Sequence, residues 1–236
     1  MPCVNPSNEP VIRLRDISLS RDERVILSGI NLEARRGDLM AITGPNGGGK
    51  TTLLRIILGL QRPDTGSVEY FGADGADGSV ARRLKFGYLP QKNSIDARFP
   101  ITTREVISSG LLSSEGMPRS ERDRRVEEAL ELMELTSHAD HPIGALSGGQ
   151  LQRAMMGRAL ISRPEVLVFD EPLSYLDSRF EQRTYDIISS LPKDTTVIIV
   201  SHQMSVLAGI TTRHFIVDRT LSECHAHHHH APVACD

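Results

Sequence analysis

The sequence predicts an α/β fold with a mainly parallel core sheet, an antiparallel β subdomain at its start and a helical lobe inserted in its middle. Three observations carry this. The apolar strand Leu39–Thr43 runs directly into glycines and then into a helical stretch. Further short apolar runs, Phe86–Leu89, Val166–Phe169 and Thr196–Val200, alternate with helical spacing, the pattern of a parallel sheet with its chemistry at the carboxyl ends of the strands. From Pro90 to about residue 155, strand signals nearly vanish.

Taken in order, residues 11–19 and 25–34 partly alternate around the polar turn Arg21–Arg24 and read as antiparallel strands. After Leu39–Thr43, Leu53, Leu54, Ile57 and Leu58 give helical spacing over Thr51–Leu60, stopped by Gly59 and Pro63. Ser67–Phe71 reads as an edge or hairpin strand before the glycine- and aspartate-rich turn 72–79. Residues 102–115 and 120–136 read as helices separated by Gly116 and Pro118, the second started by Ser120 with Glu121 and Asp123 in its first turn. Residues 149–161 and 177–191 are further helices around the strand 165–169, and Phe215–Val217 is a last strand. The expected main domain spans 10–220, with the helical lobe at about 92–155; 221–236 is a flexible histidine-rich tail.

Composition excludes several classes. With 27 basic and 30 acidic side chains the net charge is −3, so no global electrostatic case for nucleic acid exists. Arg122, Arg124 and Arg125 alternate with Glu121, Asp123, Glu127 and Glu128, as on a solvated helix face. Nothing approaches a membrane-spanning run and the N-terminus has no secretory pattern, which points to an intracellular chain able to dock on a membrane protein. Cys3, Cys224 and Cys235 read as free cytosolic thiols. The lack of tryptophan argues against a stacking platform for bases.

Three motifs carry the chemistry. Residues 44–52, GPNGGGKTT, satisfy G-x-x-x-x-G-K-[ST] through Gly44, Gly49, Lys50 and Thr51. Glycines let backbone N–H groups approach phosphate closely, and the following helix adds its positive end. Lys50 is expected to bridge the β- and γ-phosphates, and the Thr51 hydroxyl to coordinate magnesium. Asp170 and Glu171 end a buried strand, where a charge is expensive unless paired or metal-bound. Asp170 suits magnesium, and Glu171 suits orienting or activating the attacking water; the alternative is an acidic pair opening a turn before Pro172. His202 follows the strand Thr196–Ser201 and either holds the γ-phosphate and water geometry or is structural. The third motif, LSGGQ at 146–150, cannot usefully reach a nucleotide held by residues 44–52, which suggests that two chains complete each other's sites.

Together these residues resemble the ATP-binding-cassette ATPase family over about residues 11–220. The resemblance implies a P-loop NTPase cassette. It assigns Gly44, Pro45, Asn46, Gly47, Gly48, Gly49, Lys50, Thr51 and Thr52 to ATP, with Thr51, Gln91 and Asp170 at Mg2+. Glu171 matches the catalytic glutamate, His202 the switch histidine, and Ser174–Asp177 the loop crossing the dimer interface. Ser147, Gly148, Gly149 and Gln150 match the signature that closes over ATP held by the other subunit, a hydroxyl and two amides at a helix N-terminus being suited to cap a γ-phosphate. One set of motifs without a membrane segment implies a homodimer or a like ATPase subunit, separate permease subunits docking beside Gln91, a separate solute-binding protein, and a place on the cytoplasmic face of the membrane. The coiled-coil insertions of the DNA-repair relatives and the second cassette of the translation-related ones are lacking.

Residues 86–110 resemble the same stretch in cassettes of manganese, zinc and iron importers, especially Asp96, Phe99–Pro100 and Glu105–Val106. The tail histidines His225, His227, His228, His229 and His230, with Cys224 and Cys235, are candidate zinc ligands, or else an unstructured run with adventitious affinity. Two departures from the family pattern stand out. Arg21–Arg24 offers no aromatic to stack on adenine, and Gly157 stands where alanine is more usual, at roughly 1 kcal/mol of helix stability. The function expected is ATP-driven uptake of zinc or manganese; a cassette for another solute, or an ATP-gated regulator that does not turn over, are the alternatives.

Overall fold

The computed structural model describes residues 10–71, 73–74, 86–91, 99–112, 114, 116–201 and 209–224. The chain opens with a long hairpin, β1 (Pro10–Arg21) and β2 (Arg24–Arg35), joined through Asp22 and Glu23 at φ 49° and 61°. Two consecutive positive φ values make the tight turn whose twist matches that of the flanking strands. β3 (Leu39–Thr43) leads through the glycine loop into α1 (Lys50–Ile57), and β4 (Thr65–Tyr70) pairs with β1 and with the short β5 (Ala73–Asp74). Ser67–Phe71 thus forms the hairpin member that its pattern allowed.

β6 (Phe86–Leu89) precedes the helical region, which holds α2 (Thr103–Ser108), α3 (Arg119–Leu132) and α4 (Gly148–Leu160). Then follow β7 (Val166–Asp170), α5 (Ser178–Ser189), β8 (Thr196–Val200), β9 (Arg213–Asp218) and β10 (Thr220–Glu223). The four-stranded antiparallel sheet has the order β2-β1-β4-β5, and the six-stranded core sheet the order β10-β9-β3-β8-β7-β6. All pairings in the core sheet are parallel except β10 with β9. β10 was not expected from the sequence; it takes in residues 221–223, which we assigned to the tail.

Burial on both faces organises the rest. Val166, Val168, Ile198 and Val200 face a core shared with α1 and the antiparallel sheet, while Leu167, Phe169, Val197 and Ile199 face the helices. The strand period of two divides each apolar run between the two cores. α2 begins at a capping box in which Thr102 Oγ1 accepts from Glu105 N and the Glu105 carboxylate accepts from Thr102 N. Donation to the carboxylate from Thr102 N and from the Thr102 hydroxyl holds the Glu105 carboxyl below its ordinary pKa. α3 starts one residue before the Ser120 we expected, with Pro118 at its cap and no side-chain bond there. Proline fits because its fixed φ suits helix entry. Its arginines pair along the exposed face, Arg124 with Glu121 and Glu128, and Arg125 with Glu121. Gly157 has a packing reason: a Cβ there would lie 3.0 Å from Met133 Cγ and 3.4 Å from Ile107 Cδ1.

Tyr70 joins the two layers. Its buried hydroxyl donates to the carbonyls of Ile57 at 2.8 Å and Ile56 at 3.3 Å, at the end of α1, and its ring meets Phe86 edge-on. Burial pushes its pKa up to about 12, and burial does the same to Tyr185, whose hydroxyl has no partner among the described residues. Tyrosine in the unfolded chain ionises near pH 10, so stability from both groups is complete below that pH and is lost as pH rises toward about 12. Tyr70→Phe is expected to lower unfolding free energy by about 1 kcal/mol at neutral pH and to flatten the alkaline loss, as read by urea denaturation at several pH values.

Candidate nucleotide site

The glycine loop follows β3 and is pressed against the β9–β10 hairpin. Gly44 has φ 144°, and a Cβ there would lie 2.0 Å from the Val217 carbonyl oxygen. Gly49, at φ 98°, caps α1, and a Cβ there would lie 2.6 Å from Leu27 Cδ2. No other residue type fits either position. The hairpin also clips the loop through a hydrogen bond from Arg219 N to Gly48 O at 3.0 Å, while Arg219 O accepts from Ser28 N of β2 at 2.7 Å. Lys50 is buried, its ammonium donating to Gly44 O at 2.9 Å and Pro45 O at 2.8 Å. A lysine charge is thus held by two loop carbonyls at the positive end of a helix, a combination suited to phosphate.

Asp170 ends β7 and is only 1 % exposed. The Thr51 hydroxyl donates to Asp170 Oδ2 at 3.4 Å, which brings together two of the three oxygen donors expected at magnesium. Gln91, the third, lines a cleft of about 500 Å3 with Thr51, Arg55, Tyr88, Arg158 and Asp170. Burial raises the Tyr88 phenol pKa and Asp170 raises it further, while burial lowers that of the Arg158 guanidinium, which donates to Tyr88 O at 3.1 Å. Hard, partly desolvated oxygens of this kind fit Mg2+.

Glu171 follows in a left-handed conformation, φ 56°, which is strained for a residue with a Cβ. Hydrogen bonds hold it there. Its N–H donates to Val200 O at 2.9 Å, Ser174 Oγ donates to its Oε2 at 3.3 Å, and Gln152 Nε2 donates to its carbonyl at 3.3 Å and to that of Pro172 at 3.2 Å. Gln152 escaped the sequence reading. Its signal was present: it shares the stripe 152, 155, 156, 159 with Met155, Met156 and Ala159, all buried, and a glutamine on an apolar stripe needs partners.

Ser147 caps α4. Its Oγ accepts from Gln150 N at 3.3 Å, and Gln150 Oε1 accepts from Ser147 N at 2.8 Å. A Cβ on Gly149 would lie 2.8 Å from the Tyr175 carbonyl, so this turn and the Ser174–Asp177 loop abut. Among the described residues no hydrogen bond joins 147–150 to 44–52. Of the importer-like stretch, Glu105 serves the capping box and Val106 is buried, whereas Phe99 is 62 % exposed. Arg21 and Arg24 flank the exposed hairpin turn. His202, Asp96, Cys3, Cys235 and the tail histidines lie outside the described residues, and Cys224 is a free thiol. Among the described residues no cluster of three or more His, Cys, Asp or Glu could hold a metal ion, and no helix is long and apolar enough to cross a membrane.

A glycine cradle between a strand and a helix, with an acid at the end of a parallel strand next but one in the sheet, defines a P-loop nucleoside triphosphatase. The family model described as ABC transporter matches residues 27–174. A probable metal transport system ATP-binding protein of Chlamydia trachomatis serovar D is 38 % identical over 201 residues, covering 84 % of this chain and 83 % of that one. The zinc uptake system ATP-binding protein ZurA of Listeria monocytogenes serovar 1/2a is 34 % identical over 200 residues, covering 82 % and 77 %. The dimeric structure of MJ0796, a bacterial ABC transporter cassette, superposes with TM-score 0.81 at 29 % identity, over 89 % of this chain and 96 % of that one. The chain belongs to the ABC transporter family as its ATP-hydrolysing subunit, using ATP with Mg2+.

The clamp on Glu171 yields a test. Gln152→Ala is expected to lower kcat about tenfold, roughly 1.4 kcal/mol of barrier, with KM for ATP changed less than about twofold, because the loop that binds phosphate is untouched. Steady-state phosphate release against ATP concentration measures both.

Proposed function

We propose that two copies of this chain clamp ATP and drive a membrane importer of divalent metal ions, zinc or manganese. The observation that carries the two-copy reading is the capped N-terminus of α4: its serine hydroxyl and free amides suit a γ-phosphate, yet they share no hydrogen bond with the chain's own phosphate loop. The dimeric relative supports the pairing, and the names of the Chlamydia and Listeria relatives support the cargo.

In this reading Gly44–Thr52 wraps the phosphates with its amides, and Lys50 exchanges two loop carbonyls for phosphate oxygens. Thr51, Asp170 and Gln91 hold Mg2+, which when bound neutralises charge on the phosphate oxygens. Glu171, held at its carbonyl by Gln152 and at its carboxylate by Ser174, takes the proton of the attacking water. His202 follows β8, whose end lies beside that of β7, and orients the same water. Ser147, Gly148, Gly149 and Gln150 of one copy close over the ATP of the other. Permease subunits dock at the cleft beside Gln91 and the exposed Phe99, a separate solute-binding protein delivers the metal, and the chain sits on the cytoplasmic face of the membrane. The cassette, expected over 10–220 with the helical lobe at about 92–155, runs on through β10 to Glu223, and the tail histidines beyond it bind zinc.

Two experiments test this. In vesicles carrying the chain with its copurifying permease, ATP should drive uptake of one of zinc, manganese or iron, and Glu171→Gln should abolish both uptake and hydrolysis. Hydrolysis without uptake of any of the three would discard the metal cargo and keep the ATPase. Calorimetry of the full chain should show zinc binding that is lost when the chain is cut after Cys224, with ATPase activity unchanged; equal zinc binding by both forms overturns the role of the tail.

A further inference from the structure

The 147–150 turn is held by a side chain that the chemistry above does not use. Within the capping box, Gln150 Oε1 accepts the Ser147 N–H at 2.8 Å, so the carboxamide has its NH2 group left, and this meets His138 Nε2 at 3.0 Å. An amide NH2 can only donate. His138 Nε2 must therefore present a lone pair, which places the proton of the neutral imidazole on Nδ1, 3.0 Å from the Ser137 hydroxyl oxygen. The backbone carrying the ring is fixed by His138 N to Leu135 O at 2.9 Å and Thr103 N to His141 O at 3.0 Å.

We propose that His138 is a positioning residue for ATP hydrolysis: neutral, it locks Gln150 and with it the Ser147-capped end of α4, and protonated, it releases them. The inference rests on reading 147–150 as the turn that closes over the partner copy's ATP. A proton on Nε2 sets N–H against NH2 across 3.0 Å. If the carboxamide flips to offer Oε1 to the imidazolium, its NH2 group meets the Ser147 N–H, which is also a donor, and the capping box breaks. The surrounding charges are engaged elsewhere. Arg104 of α2 pairs with Asp140 and with Glu127 of α3, and Arg153 of α4 pairs with Glu134 beyond the end of α3. The His141 ring lies 5.2 Å from that of His138 between centroids.

The test compares the full chain with His138→Leu and His138→Gln, measuring Mg-ATP hydrolysis from about pH 5.5 to 8.5, the range a histidine switch spans. The 15N side-chain amide signal of Gln150 is followed over the same range. Leucine removes the acceptor and should lower kcat about tenfold at every pH. Glutamine supplies an oxygen acceptor that cannot be protonated, so it should restore activity and remove the acid limb of the wild-type profile. The Gln150 amide signal should move with pH in the wild type and stay fixed in His138→Gln. An acid limb unchanged in His138→Gln, or a Gln150 signal insensitive to pH in the wild type, overturns the proposal. These outcomes separate from failure of the functional reading, which would appear as a wild-type chain that hydrolyses no ATP while the Gln150 signal still titrates.

Discussion

The parallel strands of this protein are covered on both faces, and that constraint arranges everything else. β7 and β8 are buried at every residue, so no polar group can leave the sheet sideways without losing its solvation. Buried polar side chains sit at the strand ends, and at the carboxyl ends Thr43, Asp170 and Ser201 lie side by side in sequence-distant segments. The buried carboxylate of Asp170 is tolerable there because Thr51 donates to it and the positive end of α1 stands opposite.

The same confinement explains the strain at Glu171. The chain must leave β7 sharply enough to keep a second carboxylate at the sheet's edge, and it does so in a left-handed conformation that a side chain opposes. Gln152, Ser174 and the Val200 carbonyl hold the turn, so helix α4 contributes twice: its N-terminus presents the Ser147 turn, and its second turn steadies the acid after β7. Rotation or displacement of α4 would therefore reach Glu171 directly, through the Gln152 carboxamide, with no intermediary.

Most of the architecture was legible because its signals are local. The apolar, β-branched runs of β3, β7 and β8 are short and bounded by turn signals, as buried strands are, and the loop 44–52 has the spacing of a phosphate loop. What stayed hidden depends on long-range pairing. β10 reads as an unremarkable polar segment, TLSE, and becomes a strand because Arg213 pairs with Glu223 and its backbone joins β9. Glu105 and Val106 resembled a partner-recognition stretch, yet one caps a helix and the other fills the core. Gly157 looked like a weakness in α4 until Met133 and Ile107 took the space beside it. The resemblance to a known family named the acids and the glycine loop; it did not name Gln152 or His138, whose roles exist only once helix α4 is set against its neighbours.

The clip from Arg219 to Gly48 has a consequence for how the protein is made. The glycine loop between β3 and α1 is synthesised well before the β9–β10 hairpin that shapes it. While the ribosome is still at work, the emerging N-terminal segments can pair β1 with β2 and β4, yet the glycine loop lacks the Val217 and Arg219 backbone against which it is moulded. The loop therefore takes its final shape only after translation has passed β10, and a chain interrupted before that hairpin lacks the backbone against which its glycine loop is moulded.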